Sequence, residues 1–440
     1  MPDVSRSAFN AGAVAALTGP RLLKDARLAA WERFAAAQLP SESDEIWRYS
    51  RIDELDLARY QPQPPGREPT LPQLPRRVKE LVQSLGSEAT VVVTHNGGEA
   101  EVVRPQAGLE LRALAEGGLA TGAADGYGGP ARDVWTDFNC AFVRAPWSAR
   151  VAAGAVLDQP VVLVHWVDGE GGAFFPHLEV ELEEGASAEL LEVIASPDVD
   201  ALVVPLTTLV IGPGAHARFA QVQLLGKRVW QLGNIASRVG RDGFLNCMTV
   251  ALGGDYARVR TDSVLEGPGG QSELLAGYFG TGSQVHDLRT VQLHAAPQAR
   301  SELLFKGAVA NDARSVYSGL IRVEKGARGT NAFQTNRNLV LSEGAHADSV
   351  PNLEIEDNDV RCSHASAVGP IDESQLFYLE SRGVPTAAAE RLIVLGFMRD
   401  VLERSPVRGM LEWLQEAVAD KLVAAGLGGG RPEVSRALRR

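Results

Sequence analysis

The chain has 440 residues, of which 45% are hydrophobic and 22% charged, and its formal net charge is −12. Such a length accommodates two or three domains, or one elongated body with helical ends, and the composition is that of an ordinary folded protein. An acidic surface repels phosphate backbones, no Lys/Arg-rich stretch is interleaved with aromatics, and no run approaches the ~18 apolar residues of a membrane span. Nucleic acid and membrane are therefore not expected partners.

The opening stretch, Met1 to Pro20, carries one Arg before a short Ala/Val patch that is too weak for the apolar core of a secretory signal. Three cysteines, Cys140, Cys247 and Cys362, form neither a disulfide framework nor a C-x-x-C pair, which points to a reducing cytoplasm. Apolar residues at helical spacing predict a helix from Leu22 to Gln38, ended by Pro40. A short segment from Asp44 to Leu57 follows, with Trp47, Tyr49 and Ile52 among charges, and completes an N-terminal helical region over 1–60. Pro62, Pro64, Pro65, Pro69, Pro72 and Pro75 then mark 61–84 as a linker.

From 85 to 360 the hydrophobic period changes to two, in Val- and Leu-rich runs such as Val161 to Trp166 and Leu202 to Val210. A small-residue corner recurs at Gly185-Ala186, Gly214-Ala215, Gly243, Gly270, Pro297 and Gly326-Ala327, at steps of about 28 residues. One coil of that length cannot bury its own apolar face, whereas stacked coils share a core and pair their backbones. The expected fold is mainly β: a right-handed parallel β-helix, or solenoid, flanked by N- and C-terminal helical regions. A β-sandwich would need recurring hairpin signals, and only His95-Asn96-Gly97 supplies one.

Helical signals return over 361–426. Asp372 is an N-cap with Gln375 in the capping-box position, Gly383 follows the helix end, and Pro385 opens the next helix. Residues 427–440 read as a mobile tail. Gly226-Lys227 is followed by Arg228 rather than the Ser or Thr of a phosphate-binding loop. Gly126-Tyr127-Gly128-Gly129 lacks the strand and helix of a dinucleotide site. No signature of a catalytic serine, cysteine or zinc centre is present.

One group of soft ligands stands out, Cys362-Ser363-His364, at the end of the last coil. A thiolate and an imidazole two residues apart on an extended segment point to the same side. From spacing alone the plainer reading is a buried Cys beside a hydrogen-bonded His. Two ligands are fewer than the four that zinc or iron–sulfur centres use, so a metal would need donors from elsewhere, another chain included. Cys140 and Cys247 read as packed thiols, and His95, His165, His177, His216, His286, His294 and His346 as structural.

At these residues the sequence resembles the SufB/SufD family, and its SufD branch in particular. Asp359-Val-Arg-Cys-Ser-His-Ala-Ser-Ala-Val-Gly369 is similar to the family stretch D-V-K-C-S-H-G-A-T-V-G, departing at Ala365, Ser366 and Ala367. Ile371 to Gly383 resembles D-E-x-x-L-F-Y-L-x-S-R-G, and Gln334-Thr-Asn-Arg-Asn-Leu339 resembles Q-T-N-x-N-L. Asp44-Glu-Ile-Trp-Arg-Tyr49 and Phe138-Asn-Cys-Ala-Phe142 resemble further family segments.

The resemblance implies a β-helix between helical ends and a part in iron–sulfur cluster assembly. SufB-like chains carry E-H-E where this chain has Cys362-Ser-His364, and a ligand Cys where it has Asn336. The implied partners are a SufB-like scaffold, a SufC-like ABC ATPase, and a second copy of the chain. Cys362 and His364 map to the interface with the SufB partner. Phe377, Tyr378, Arg382, Gly383 and Phe397 map to the region that docks the ATPase.

The expected role is thus a cytoplasmic, non-enzymatic scaffold subunit. No cofactor is expected on the isolated chain, an iron–sulfur cluster would be held transiently in the complex, and flavin binding stays open. Two alternatives remain: a purely structural solenoid adaptor without a metal role, and a β-helix carbohydrate-active enzyme. The latter needs a cleft of paired carboxylates and usually an export signal.

Overall fold

The computed structural model describes residues 8–62, 73–98, 100, 102–113 and 133–427. The prolines within 63–72, the glycines of 126–129 and the tail of 428–440 lie outside the described residues.

Two sheets wind around a common interior. One has nine strands, from Thr90–His95 to Arg361–Gly369, and the other has twelve, ending on His346–Ile355. Successive coils pair in parallel and in register: His216 lies beside Ser187, Phe244 beside His216, Gln271 beside Phe244 and Arg300 beside Gln271. This is the stacked solenoid that the repeat predicts, with none of the face-packed hairpins of a sandwich among the described residues. The pattern runs one strand further than the sequence suggested, since Arg361–Gly369 pairs with Asn331–Val340.

Each corner turns on one residue of left-handed backbone, at Gly185, Gly214, Asp242, Gly269, Gln298 and Gly326, with φ between 55° and 94°. Glycine adopts that conformation without a Cβ clash, and a polar residue tolerates it at modest cost. In two corners, therefore, the turn falls one residue before the glycine that marks it in the sequence, Gly243 and Gly270.

The interior is sealed by alternate residues of both sheets, including Leu190, Phe219 and Leu274 from the nine-stranded sheet and Leu209, Ile235 and Leu288 from the twelve-stranded one. The opposite faces are covered by helices. Helices α1 (Ala11–Ala15), α2 (Arg21–Ala36) and α4 (Val134–Phe142) pack Phe9, Phe34, Trp135, Phe138 and Phe142 onto the twelve-stranded sheet. The Asn139 amide of α4 donates to the carbonyls of Pro176 at 2.8 Å and Val204 at 2.6 Å. Arg27 of α2, buried, donates to the carbonyls of Thr18, Val143 and Arg144.

The segment after α2 forms a strap of 3₁₀ turns along the same sheet. Arg258 and Arg289 lie 4.2 Å and 5.6 Å over the Trp47 ring, and Arg51 lies 5.5 Å over Trp230. Such contacts contribute about 0.5–2 kcal/mol each, which explains an aromatic–Arg pattern at residues 47–51.

Helix α3 (Arg76–Ser84) corrects the linker expectation over 61–84. Its Val78, Leu81 and Val82 are buried at helical spacing, a signal outweighed in the sequence by the prolines before it. Helices α3, α6 (Thr386–Leu402) and α7 (Met410–Ala424) cover the nine-stranded sheet. Val394, Met398, Val401, Leu402, Trp413, Leu414, Val418 and Leu422 pack there against Val164, Val193, Val222, Val250 and Leu275. At roughly 1.5–3 kcal/mol per large buried side chain, the C-terminal helices are integral to the body and not an appended unit.

Candidate functional site at the open end of the solenoid

The two ends of the solenoid differ. At the first coil, Leu109–Ala113 runs antiparallel to Trp147–Val151, and Ala100, Val102, Leu109, Leu111 and Ala113 pack on the interior. At the last coil, His346–Ile355 and Arg361–Gly369 are both edge strands, and no further strand pairs with either among the described residues. Their unpaired N–H and C=O groups form two adjacent templates for another chain.

Cys362, His364 and Ser366 share the interior-facing side of the last strand. Cys362 is in register with Ala332, His364 with Gln334 and Ser366 with Asn336. Cys362 packs, half-buried, on a cluster containing Ile321, Val323, Ala327 and Ala332. His364 is exposed. Ser366 donates its hydroxyl proton to Ser349 Oγ across the bore at 2.7 Å, which joins the two sheets at the rim. Burial pushes the Cys362 thiol up from its ordinary range, so it is a protonated thiol in the single chain.

The structure therefore brings Cys362 and His364 onto one face, as their spacing predicts. It supplies two donors and leaves the end open. Among the described residues no group of three or more His, Cys, Asp or Glu is arranged to hold a metal ion.

Beneath the rim, the interior of the preceding coils is polar. Asn336 Nδ2 donates to the Tyr278 hydroxyl at 3.0 Å, Tyr278 donates to Asn338 Oδ1 at 2.6 Å, and Asn338 Nδ2 donates to Asn336 Oδ1 at 2.8 Å. Thr290 and Tyr317 share a hydrogen bond at 3.1 Å. Gln334 is 1% exposed, and neither amide atom has a partner. In the sequence, Gln334-Thr-Asn336-Arg-Asn338 is legible as a family motif, with Asn336 standing where SufB-like chains carry a Cys. Its period of two, which puts all three amides on one face, was the available signal.

Cys140 and Cys247 are buried, as expected of packed thiols. Desolvation, with the Glu192 carboxylate adding, pushes Cys247 up to about 12. His165 is held by Thr94 at 2.9 Å and faces Glu192 at 3.3 Å, His177 meets Asn139 at 2.7 Å and His294 meets Ser301 at 2.8 Å.

The residues expected to dock an ATPase are spread around α5 (Glu373–Ser381) and α6. Asp372 caps α5, accepting from the backbone of Ser374 and Gln375, and Gly383 turns beyond its end at φ 83°. Helix α5 buries none of its residues: Phe377 is 71% and Tyr378 57% exposed. Arg382 stacks on Tyr378 at 5.2 Å. Phe397 is apart from these, half-buried under the Lys306 ammonium at 4.7 Å.

A family model described as the SufBD core domain of the SUF system for FeS cluster assembly matches residues 165–397. An iron–sulfur cluster assembly SufBD family protein of Mycobacterium tuberculosis is 31% identical over 402 residues, covering 88% of this chain and 90% of that protein. This chain belongs to the SufBD family. Two further SufBD relatives are named as iron–sulfur cluster assembly protein SufD. The Bacillus subtilis protein is 28% identical over 65% of this chain and 66% of its own length, and that of Escherichia coli 28% identical over 60% and 64%. The SufBD match runs from the strand Val161–Trp166 into α6, so it contains the open end, Cys362 and His364. No helix among the described residues is long and apolar enough to cross a membrane.

Proposed function

We propose that this SufBD chain is a SufD-type, non-catalytic scaffold subunit that meets a SufB-like chain through its open end. There it contributes His364, and secondarily Cys362, to a site for iron or a nascent cluster whose other ligands come from the partner. A SufC-like ATPase docks on the C-terminal helices, with Phe377 and Tyr378 as the contact. The observation that carries this reading is the asymmetry of the ends: two parallel edge strands stop together at a rim bearing an exposed imidazole and a thiol, whereas the first coil ends on an antiparallel strand.

Chemistry supports the division of labour. Imidazole suits iron, and a protonated half-buried thiol becomes a ligand only when an adjoining cation displaces its proton. The exposed aromatic face of α5 supports the ATPase contact, since exposed large apolar residues in a cluster mark interaction sites.

The test is reconstitution with the SufB-like and SufC-like proteins of the same cell. His364→Ala is expected to leave assembly intact and to lower iron and sulfide content sharply, with Cys362→Ser having the smaller effect. Phe377→Ser with Tyr378→Ser is expected to lose the ATPase in a pull-down. A stable coloured cluster on this chain alone, or full iron loading in the His364→Ala complex, would leave the structural adaptor as the surviving reading.

A further inference from the structure

We propose that Gln334 is the positioning residue of the His364 site: when a partner closes the open end, its amide accepts the N–H of one imidazole nitrogen and leaves the other bare for the metal. This rests on the site reading given above.

The starting point is an uncompensated cost. Gln334 is 1% exposed with both amide atoms unpartnered, and a buried primary amide in that condition destabilises a fold. An isosteric apolar side chain would remove that cost. Its neighbours Asn336 and Asn338 sit on the same interior face, yet their amides are engaged with each other and with Tyr278.

Room for the amide is built into the opposite sheet. A Cβ at Gly319 would overlap both the Tyr317 hydroxyl and the Gln334 amide nitrogen, so that glycine clears the space the amide occupies. Gln231 and Gln292 also lack partners, but they lie in deeper coils with sealed interior above and below. Gln334 differs because the next residue along its stack is His364, its register partner on the last strand. Only that exposed coil separates the amide from the rim.

The chemistry matches. A histidine that binds a metal through one nitrogen generally donates its other N–H to a carbonyl or carboxylate, which fixes tautomer and ring orientation. His364 has no hydrogen-bond partner among the described side chains within its own strand, and Ser366 is occupied with Ser349. The Gln334 amide carbonyl is the acceptor one register step below. A stacked partner, by excluding water from the rim, strengthens such a bond.

The test compares Gln334→Met, isosteric without an acceptor, with Gln334→Glu, which keeps one, each in the reconstituted complex. Iron affinity is read by competition with a chelator of known strength. Partner pairing and the thermal midpoint of the isolated chain are read alongside. Gln334→Met is expected to weaken iron binding about 10–100-fold, with pairing unchanged and the midpoint equal or higher. Gln334→Glu is expected to retain most of the affinity. Native iron affinity in Gln334→Met, or equal loss in both variants, overturns the assignment. If His364→Ala loses iron while Gln334→Met does not, the site stands and only the positioning role falls. If neither loses iron, the site itself falls.

Discussion

Gly307 is the residue at which the interior of the solenoid is most exacting. A Cβ there would overlap the Tyr278 ring, whose hydroxyl holds Asn336 and Asn338 in place. Gly307→Ala must push the ring out of a close-packed bore, and overpacking of that kind costs about 1–3 kcal/mol or more. The expected result is a lower denaturant midpoint with an unchanged slope, largely restored when Tyr278→Leu is added. An unshifted midpoint in the single variant would contradict the packing described. None of this was readable from the sequence, where Gly307 follows Lys306 in an ordinary strand pattern. Periodicity assigns a residue to a face but not to the ring it must accommodate on the neighbouring coil. The pairing of Cys362 with His364, by contrast, was legible, because a two-residue spacing on a strand determines sidedness whatever the surroundings.

Among the elements, α7 reaches into the solenoid with one buried amine, Lys421. Lys421 donates to the Leu252 carbonyl at 2.9 Å, to Thr281 Oγ1 at 3.1 Å and to Gln284 Oε1 at 2.5 Å, all on the solenoid. Burial, with the Lys227 charge adding, brings its pKa down from 10.5 to about 7. Between pH 7 and 10.5 the unfolded chain therefore holds a proton that the folded chain does not. Stability from this residue rises with pH across that window, by up to ~1.4 kcal/mol per unit, and is lost as pH falls towards 7. Lys421→Met should flatten the dependence in denaturant titrations at several pH values, and an identical slope in the variant would refute the assignment. The sequence places α7 only within the helical signals of 361–426, whereas α2 was legible from its apolar spacing and α5 and α6 from a cap and a proline. Helix α3 was not, since a Pro-rich approach masked nine residues with buried Val78, Leu81 and Val82. The strap at Trp47 was seen only as aromatics among charges, because its partners, Arg258 and Arg289, lie some two hundred residues away and become neighbours only on coiling.

For the molecule as a whole, the repeat made the architecture legible and left the ends obscure. Corner spacing fixes how coils stack, but it carries no information on where stacking stops, and the sequence placed that boundary one strand early. The stop is what gives the rim its character. Val368 lies on the interior-facing side of the last strand and is 45% exposed. A chain stacked end-on would bury it, so Val368→Lys should weaken pairing tenfold or more in sedimentation or size-exclusion measurements. The stability of the separate chain should stay within ~0.5 kcal/mol, as for other exposed substitutions. Pairing at native strength would exclude end-on stacking.

The antiparallel strand at the first coil has a consequence for the growth of such stacks. Open solenoid ends are the growing points from which cross-β fibres extend without limit. Here the two ends are not alike: the last coil presents two parallel edge strands, whereas at the first coil the edge strand Thr90–His95 lies beside Leu109–Ala113, which runs against its neighbour. A further parallel coil therefore finds two strands of matching direction at the last coil, and only one at the first. The small antiparallel strand Leu109–Ala113 thus breaks, at the far end of the molecule from the chemistry, the strand direction that unlimited coil-on-coil stacking needs.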